Sequence, residues 1–169
     1  MSDANLASSV FVDANNAITF ASSLLIGQGV TAEDSAAIAE CLVQADLRGV
    51  QTHGMSRLPI YVKRVERGLI NALPNMKLHK PIAACASLDG DNGFGILVGI
   101  RAMREAIEMA ETCGVGVVSA YNSNHFGMAA SYLLQAVTAG YFAFVFTNAA
   151  KSMPPWGGRE GLLGTSPLG

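Results

Sequence analysis

Residues 51–57 of the chain, QTHGMSR, set a histidine beside a hydroxyl residue and a glycine, with an arginine four positions further on. Histidine is the side chain best suited to proton transfer near neutral pH. Thr52 could orient or relay a proton for His53, and Arg57 could hold a substrate carboxylate through two parallel hydrogen bonds. The same residues could also form an ordinary helix start with a solvated arginine. Taken alone, the segment leaves both interpretations open.

A second candidate, His125, lies in the segment SNHFG between a valine-rich predicted strand and a predicted helix. In α/β sheets ligands gather beyond the C-terminal ends of the strands, and the next helix N-terminus offers free N–H groups to a phosphate. The alternative is a loop histidine that is hydrogen-bonded to nearby backbone. The third histidine, His79, stands beside Lys80 and is expected to be a solvated surface residue.

Other segments resemble known binding or catalytic motifs but do not match them in detail. The segment GFGILVG lacks the glycine spacing of a dinucleotide-binding fingerprint, and the strand after it ends in Tyr121 and Asn122, without an acid for a ribose. The segment DGDNGFGILVGI has Gly93 and Ile100 where a calcium loop needs ligands. The histidine spacing fits no metal site, and no serine or cysteine signature of acyl transfer is present. The sequence therefore predicts no metal site.

The elements that must position the first candidate lie in residues 1–80, which we expect to form an N-terminal helical region. Thr31 suits the N-cap of one helix, and Pro59 must lie in the first turn of another that starts near Ser56. The apolar face of this second helix is predicted to comprise Tyr61, Val62 and Val65, and its solvent-exposed face Lys63, Arg64, Glu66 and Arg67.

Residues 81–169 are expected to form the first part of an α/β domain. Strands are predicted over IAACASL, VGVVSAY and YFAFVFT, and helices over residues 95–112 and 128–139. The order is β-α-β-α-β, which favours a sheet of buried, parallel strands. The tail NAAKSMPPWGGREGLLGTSPLG, rich in glycine and proline, is predicted to be a long loop.

The composition limits the partners of this protein. Charged residues make up 14% of the 169, against about 25% in a typical domain, which suggests that a partner covers part of the surface. The net charge of −2 gives no reason to expect a nucleic acid or membrane partner. No secretory signal or membrane span is recognisable, and three dispersed cysteines suit a reducing compartment. We therefore expect a cytoplasmic protein.

Several segments read together resemble the malate/L-lactate dehydrogenase family that is unrelated to Rossmann-fold enzymes: ADLRGVQTHGMSRLPIYVKRVERG, LDGDNGFG, NSNHFGMAASYLLQA, FTNA and GGREGLLGTSPLG. That family includes ureidoglycolate and sulfolactate dehydrogenases, diketogulonate reductase and cyclic imino acid reductases. The resemblance extends from about Ala45 to the last residue. It implies a family-specific, nicotinamide-binding α/β fold, with this chain as the N-terminal half, incomplete without a second segment.

The resemblance implies hydride transfer between NAD or NADP and C2 of a 2-oxo or 2-hydroxy acid, or of a cyclic imino acid. His53 matches the family's proton donor, Thr52 the adjacent hydroxyl of its relay and Arg57 the arginine that holds the substrate carboxylate. Thr165 matches a substrate contact. The stretch that lines the cofactor is matched by His125, Phe126, Gly127, Met128 and Ala129, and in some members this histidine is the base.

The resemblance also implies partners. The substrate would be a small molecule and the working protein a homo-oligomer, such as a homodimer. The family's relay aspartate follows the point where this sequence stops, so we expect a second segment or chain to complete the fold and to raise the pKa of His53. Two alternatives stay open: a non-catalytic or half-subunit binding module that needs a complementary chain, and a hydrolase that uses Thr52 and His53.

Overall fold

The computed structural model describes residues 11–169. It is a mixed α/β fold, as predicted, and the described residues contain five α-helices and a three-stranded sheet. The elements in chain order are α1 (Ala14–Gly27), α2 (Ala32–Leu47), α3 (Leu58–Glu66), β1 (Lys77–Ile82), β2 (Cys85–Gly93), α4 (Gly95–Cys113), β3 (Val117–Ser123) and α5 (Ala130–Thr138). Two short 3-10 turns, Gln51–His53 and Met55–Arg57, join α2 to α3.

Local signals place the helix ends close to their predicted positions. The Thr31 side chain caps α2 by accepting a hydrogen bond from the Asp34 N–H at 3.1 Å. Pro59 lies in the first turn of α3, as its missing N–H requires. That helix begins at Leu58 rather than near Ser56, because the residues before it are wound as a 3-10 turn. Gly114 ends α4 in the left-handed conformation, with φ of 77°.

The sheet has the order β1-β2-β3. Strand β2 runs antiparallel to β1 and parallel to β3, with α4 as the connection between β2 and β3. Strand β1 was not predicted, and its first residues lie in the region expected to be helical. Its polar sequence, KLHKPI, carries no strand signal of its own; pairing with β2 across a tight connection makes it a strand. Only one of the two strand pairings is therefore parallel.

The predicted strand YFAFVFT does not form a regular strand. Within it, Phe146 makes one isolated bridge with Leu168, and Val145 exchanges two backbone hydrogen bonds with Gly169, at 3.0 and 2.8 Å. A strand needs a neighbour along its length, and among residues 11–169 only this short pairing is available. The tail between these two stretches is a loop, as predicted, with a second isolated bridge between Met153 and Leu163.

Two apolar clusters support the loops that carry the candidate residues. One cluster lies among α1, α2, α3 and the start of α4 and includes Tyr61 and Phe94. The other packs α4 against α5 and includes Tyr132, with Phe126 against it. Each cluster therefore anchors one side of the candidate site. No helix of residues 11–169 has both the length and the apolar character that a membrane span requires.

The end of the chain carries an exposed apolar surface. Its members are Phe142, Phe144, Phe146, Trp156 and Leu168, which we call the C-terminal apolar surface. The three phenylalanines alternate with better covered residues along an extended segment, so they lie on one side of it. Phe142 is 84% exposed. The Phe142 and Phe144 rings contact each other, with centroids 4.9 Å apart.

Candidate active site

The turns between α2 and α3 hold the first group of candidate residues. The Asp46 carboxylate, near the end of α2, accepts a hydrogen bond from the Met55 N–H at 2.8 Å. At Gly54 a Cβ would overlap this carboxylate, so only glycine permits the approach. His53 lies in the first turn, as the sequence predicted for a short loop, and Arg57 directly precedes α3. Helix α2 thus fixes the position of both side chains.

Thr52, His53 and Arg57 form a connected group. The Thr52 Oγ1 and the His53 Nδ1 lie 2.9 Å apart, and the Arg57 Nε donates to the Thr52 carbonyl oxygen. Within residues 11–169 the two terminal nitrogens of Arg57 make no hydrogen bond, and the one salt bridge of that range joins Arg101 and Glu105. The guanidinium is therefore oriented by the backbone and retains two donors for an anion.

His125 lies on the loop between β3 and α5. The preceding residue, Asn124, fixes this loop by donating to the carbonyl oxygens of Asn92 and Gly93, at 2.9 and 3.0 Å. The start of α4 approaches the loop so closely that a Cβ at Gly95 would overlap the backbone of Asn124 and His125. Gly95, the second glycine of GFGILVG, therefore permits close packing.

The structure brings the two candidate histidines together. The imidazole rings of His53 and His125 are stacked, with centroids 5.4 Å apart and an interplanar angle of 23°. The Nδ1 of His125 lies 2.8 Å from the Oη of Tyr61, which α3 supplies. Sequence reasoning treated the two histidines as separate candidates for the proton donor. They form one cluster, with Arg57 beside them.

Burial controls the charge of this cluster. Burial, together with the positive charges of Arg57 and of protonated His53, lowers the pKa of His125 to about 4. Burial also lowers the pKa of His53, with a contribution from Arg57. It raises the pKa of Tyr61 to about 12. At neutral pH both imidazoles are therefore neutral and the phenol keeps its proton. A carboxylate that raises the pKa of His53 stays a prediction.

The predicted cofactor-lining stretch, from His125 to Ala129, forms one continuous loop that ends at α5. Gly127 has φ of 76°, a conformation that other residues rarely adopt. The Phe126 ring packs on Tyr132 with centroids 4.7 Å apart, and the Tyr132 hydroxyl donates to the Phe126 carbonyl oxygen. The N–H groups of Met128 and Ala129 have no hydrogen-bond acceptor among the described residues. They remain available to a ligand at this helix start.

Thr165 is exposed in the long C-terminal loop, between the two isolated bridges. No hydrogen bond within the described range links it to His53, Arg57 or His125. The structure thus groups His53, Arg57 and His125, and the role of Thr165 as a substrate contact stays a prediction. Over the same range, no group of three or more histidine, cysteine or acidic residues is arranged to hold a metal ion.

Sequence reasoning missed two residues of α3. Tyr61 was assigned to the apolar face, and its ring is buried as expected, but its hydroxyl binds His125. Arg64 was assigned to the solvent-exposed face, yet its Nη2 donates to the Asn124 Oδ1 at 2.9 Å. Together with Arg57 these residues follow a spacing of i, i+4 and i+7, which is one stripe of a helix. That spacing was the available signal.

Comparisons with known proteins identify the family of this chain. The sequence profile of the family described as malate/L-lactate dehydrogenase matches residues 12–169. The chain is 41% identical over 150 residues to malate dehydrogenase from Pyrococcus abyssi, covering 89% of this chain and 41% of the relative. It is 42% identical over 140 residues to L-sulfolactate dehydrogenase from Methanocaldococcus jannaschii, covering 83% and 41%.

Solved structures show the same similarity. Malate dehydrogenase from Pyrococcus horikoshii superposes with a TM-score of 0.90 at 39% identity, over 94% of this chain and 46% of that chain. Sulfolactate dehydrogenase from M. jannaschii superposes with a TM-score of 0.89 at 38% identity, with the same coverage. The chain spans less than half the length of these relatives, so its fold is a partial version of theirs. On both sequence and structure, the chain belongs to the malate/L-lactate dehydrogenase family.

Proposed function

We propose that this chain supplies substrate-binding and proton-donating residues for hydride transfer between NAD or NADP and C2 of a 2-oxo or 2-hydroxy acid, or of a cyclic imino acid. The observation that carries the proposal is the stacked pair of His53 and His125 with Arg57 beside it. The family and the names of the relatives, which are malate and sulfolactate dehydrogenases and diketogulonate reductases, support it.

Arg57 is proposed to hold the substrate carboxylate. Its Nε is occupied by the Thr52 carbonyl oxygen, which orients the guanidinium plane. The two terminal nitrogens can then donate in parallel to both carboxylate oxygens, a geometry that a lysine cannot reproduce. A carboxylate held in this way fixes the neighbouring C2 atom relative to the imidazoles, and such positioning lowers the barrier to reaction. Thr165 is proposed as a further substrate contact.

The imidazoles of His53 and His125 are proposed to interact with the oxygen bonded to C2 of the substrate. As that carbon gains hydride, negative charge develops on the oxygen, which must receive a proton. His53 is proposed as the donor, and Thr52, with its hydroxyl 2.9 Å from the His53 Nδ1, orients the ring or relays the proton. General acid catalysis of this kind accelerates reactions by ~10²–10⁴-fold. In imine reduction the same proton goes to nitrogen.

The loop from His125 to Ala129 is proposed to hold the nicotinamide cofactor. It fits this role because it is continuous with the histidine pair and leaves the Met128 and Ala129 N–H groups free. Such groups at a helix start donate to phosphate or amide oxygens. The left-handed Gly127 shapes the loop, and Phe126 and Met128 offer apolar contact. When bound, the cofactor supplies or accepts the hydride.

A complementary polypeptide is proposed as a partner. The C-terminal apolar surface is the observation that favours it, because exposed phenylalanines on one side of an extended segment suit packing against further chain. The partner would supply the carboxylate that raises the pKa of His53. The second candidate function follows from this surface: a half-subunit binding module that acts only in complex. Assembly into a homo-oligomer and a cytoplasmic location, which suits three free cysteines, are also proposed.

A reconstitution experiment tests these proposals. The chain is assayed alone and with the uncovered half of the P. horikoshii relative, using reduced NAD or NADP and 2-oxo acids, a sulfonated 2-oxo acid and a cyclic imine. Substrate-dependent oxidation of the cofactor in either arm supports hydride transfer. Cofactor binding without oxidation in both arms favours the binding module. Turnover that needs no nicotinamide contradicts the proposal and favours hydrolysis.

A further inference from the structure

Tyr61 contacts His125 from the protein interior. Its Oη lies 2.8 Å from the His125 Nδ1, although the two residues are 64 positions apart in sequence. The Tyr61 side chain is only 2% exposed, and its ring meets Phe94 edge-on, with centroids 5.8 Å apart and an interplanar angle of 78°. Among the described residues the hydroxyl has no other hydrogen-bond partner. Packing therefore holds this hydroxyl against a single nitrogen.

The direction of this hydrogen bond follows from the acidities of the two groups. A phenol is a stronger donor than a neutral imidazole N–H, and an imidazole nitrogen is a stronger acceptor than a phenol oxygen. Burial raises the pKa of Tyr61 to about 12 and lowers that of His125 to about 4, so both groups are neutral at pH 7. The Tyr61 hydroxyl then donates and the Nδ1 accepts.

The second nitrogen of His125 must then carry the ring proton. A neutral imidazole has one N–H, and the hydrogen bond made by one nitrogen decides which of the two is protonated. The charged or titratable groups around His125 are Arg57 and His53 on the turns, and Tyr61 and Arg64 on α3, the last bound to Asn124. No carboxylate hydrogen-bonds to His125 in the described part of the chain. Nothing there opposes the Nε2–H tautomer.

We infer that Tyr61 is a positioning residue that fixes His125 as the Nε2–H tautomer, so that His125 serves the site as a neutral hydrogen-bond donor and leaves proton transfer to His53. This division of roles rests on the proposed function, whereas the tautomer itself does not. In the proposed reaction the Nε2–H of His125 stabilises the developing negative charge on the C2 oxygen without transferring its proton. The two rings lie side by side, and both are proposed to approach the same oxygen.

Nitrogen NMR of the chain with ¹⁵N-labelled histidine tests the tautomer without substrate or cofactor. His125→Gln assigns the His125 signals by their loss, and His79→Gln, on exposed β1, is the matched control. We expect His125 to show a protonated Nε2 at pH 7 and to move toward a mixture of tautomers in Tyr61→Phe, which keeps the buried ring. A protonated Nδ1 in the wild-type chain would overturn the inference, even if Tyr61→Phe fails to fold.

Kinetics test the division of roles in whichever reconstitution arm shows turnover. Glutamine can donate a hydrogen bond but cannot titrate, so His125→Gln is expected to keep roughly tenfold more activity than His125→Ala. The corresponding His53→Gln should be no better than His53→Ala. Equal losses in the two His125 variants would contradict the donor role. If no arm shows turnover, the proposed function fails while the NMR result still decides the tautomer.

Discussion

Asp46 on α2 and Met55 in the turn before α3 are joined by a hydrogen bond of 2.8 Å from the Met55 N–H to the Asp46 carboxylate. This bond ties α2 to the turns that carry His53 and Arg57. The Asp46 carboxylate lies against Gly54, where there is no space for a side chain. Neither Asp46 nor Met55 needs to contact a substrate to control the site. Their hydrogen bond helps to set where the turns that carry the His53 imidazole and the Arg57 guanidinium lie.

The first prediction concerns this bond. Gly54→Ala should lower the free energy of unfolding by roughly 1–3 kcal/mol, because the new Cβ overlaps the Asp46 carboxylate. Asp46→Ala should cost roughly 1 kcal/mol through the lost hydrogen bond. Since it also removes the overlap, the double variant should lose less than the sum, as measured by urea unfolding. Gly27→Ala, which has open space around it, is the control. Strict additivity would contradict the contact.

Turnover should depend on His53. We expect His53→Ala to lower kcat by at least ~10²-fold while leaving cofactor binding nearly unchanged, because it removes the proposed general acid. Steady-state kinetics of the active assembly and a fluorescence titration with reduced nicotinamide check both parts. His79→Ala, a histidine exposed on β1, should keep full activity. If His53→Ala retains more than about a tenth of the wild-type kcat, the proton-donor role is wrong.

Substitution of Arg57 by lysine should weaken substrate binding more than it slows turnover. Lysine keeps the positive charge but loses the planar pair of donors, so KM for the acid should rise roughly tenfold or more, with a smaller fall in kcat. Arg67→Lys, an exposed substitution at the end of α3, should leave KM unchanged. An unaltered KM in Arg57→Lys would show that Arg57 does not hold the substrate carboxylate.

Stability should fall when the solution is acidified below pH 6.5. The folded pKa of His125 is about 4, against 6.5 for the ordinary side chain, so between these values the unfolded chain binds a proton that the folded chain excludes. His53, whose pKa is also lowered, acts in the same direction. The stabilising effect is therefore present above pH 6.5 and is lost as pH falls toward 4.

Thermal unfolding at several pH values measures this loss. His125→Gln cannot titrate and should show a shallower fall in Tm across the window from pH 6.5 to 4. Asp89 also has a lowered pKa, but its effect on stability falls below its ordinary pKa of 3.8. That effect therefore lies outside the window from pH 6.5 to 4. A Tm curve for His125→Gln that parallels the wild type between pH 6.5 and 4 would show that titration of His125 does not control the fall in stability with acid.

The parts of the fold that were predicted correctly are those that local chemistry determines. Thr31 and Pro59 each act on backbone atoms within a few residues, so their effect can be predicted from the sequence. Strands depend on distant neighbours. Strand β1 forms because β2 is available beside it, whereas residues 141–147, with a stronger strand sequence, find only the three residues at the chain end.

In the candidate site, too, some features could be predicted from the sequence and others could not. His53 and Arg57 were named as candidates on residue type and spacing, and His125 because its loop follows a predicted strand. Their stacking was not predictable, since it depends on how the β3–α5 loop lies against the α2–α3 turns. Tyr61 was correctly placed on the apolar face, but its hydrogen bond to His125 was not predicted, because a tyrosine ring can fill a core while its hydroxyl reaches a polar partner.

The sequence separation within the site has a consequence for the order of folding. Tyr61 and His125 are 64 positions apart, and Arg64 and Asn124 are 60 apart, so these contacts close long loops. Loop closure is slow relative to helix formation, because chain entropy is lost before the contact stabilises anything. We therefore expect the helices to acquire protection from hydrogen exchange first. The imidazole pair should assemble late, so a kinetic intermediate can be largely helical and still lack a binding site.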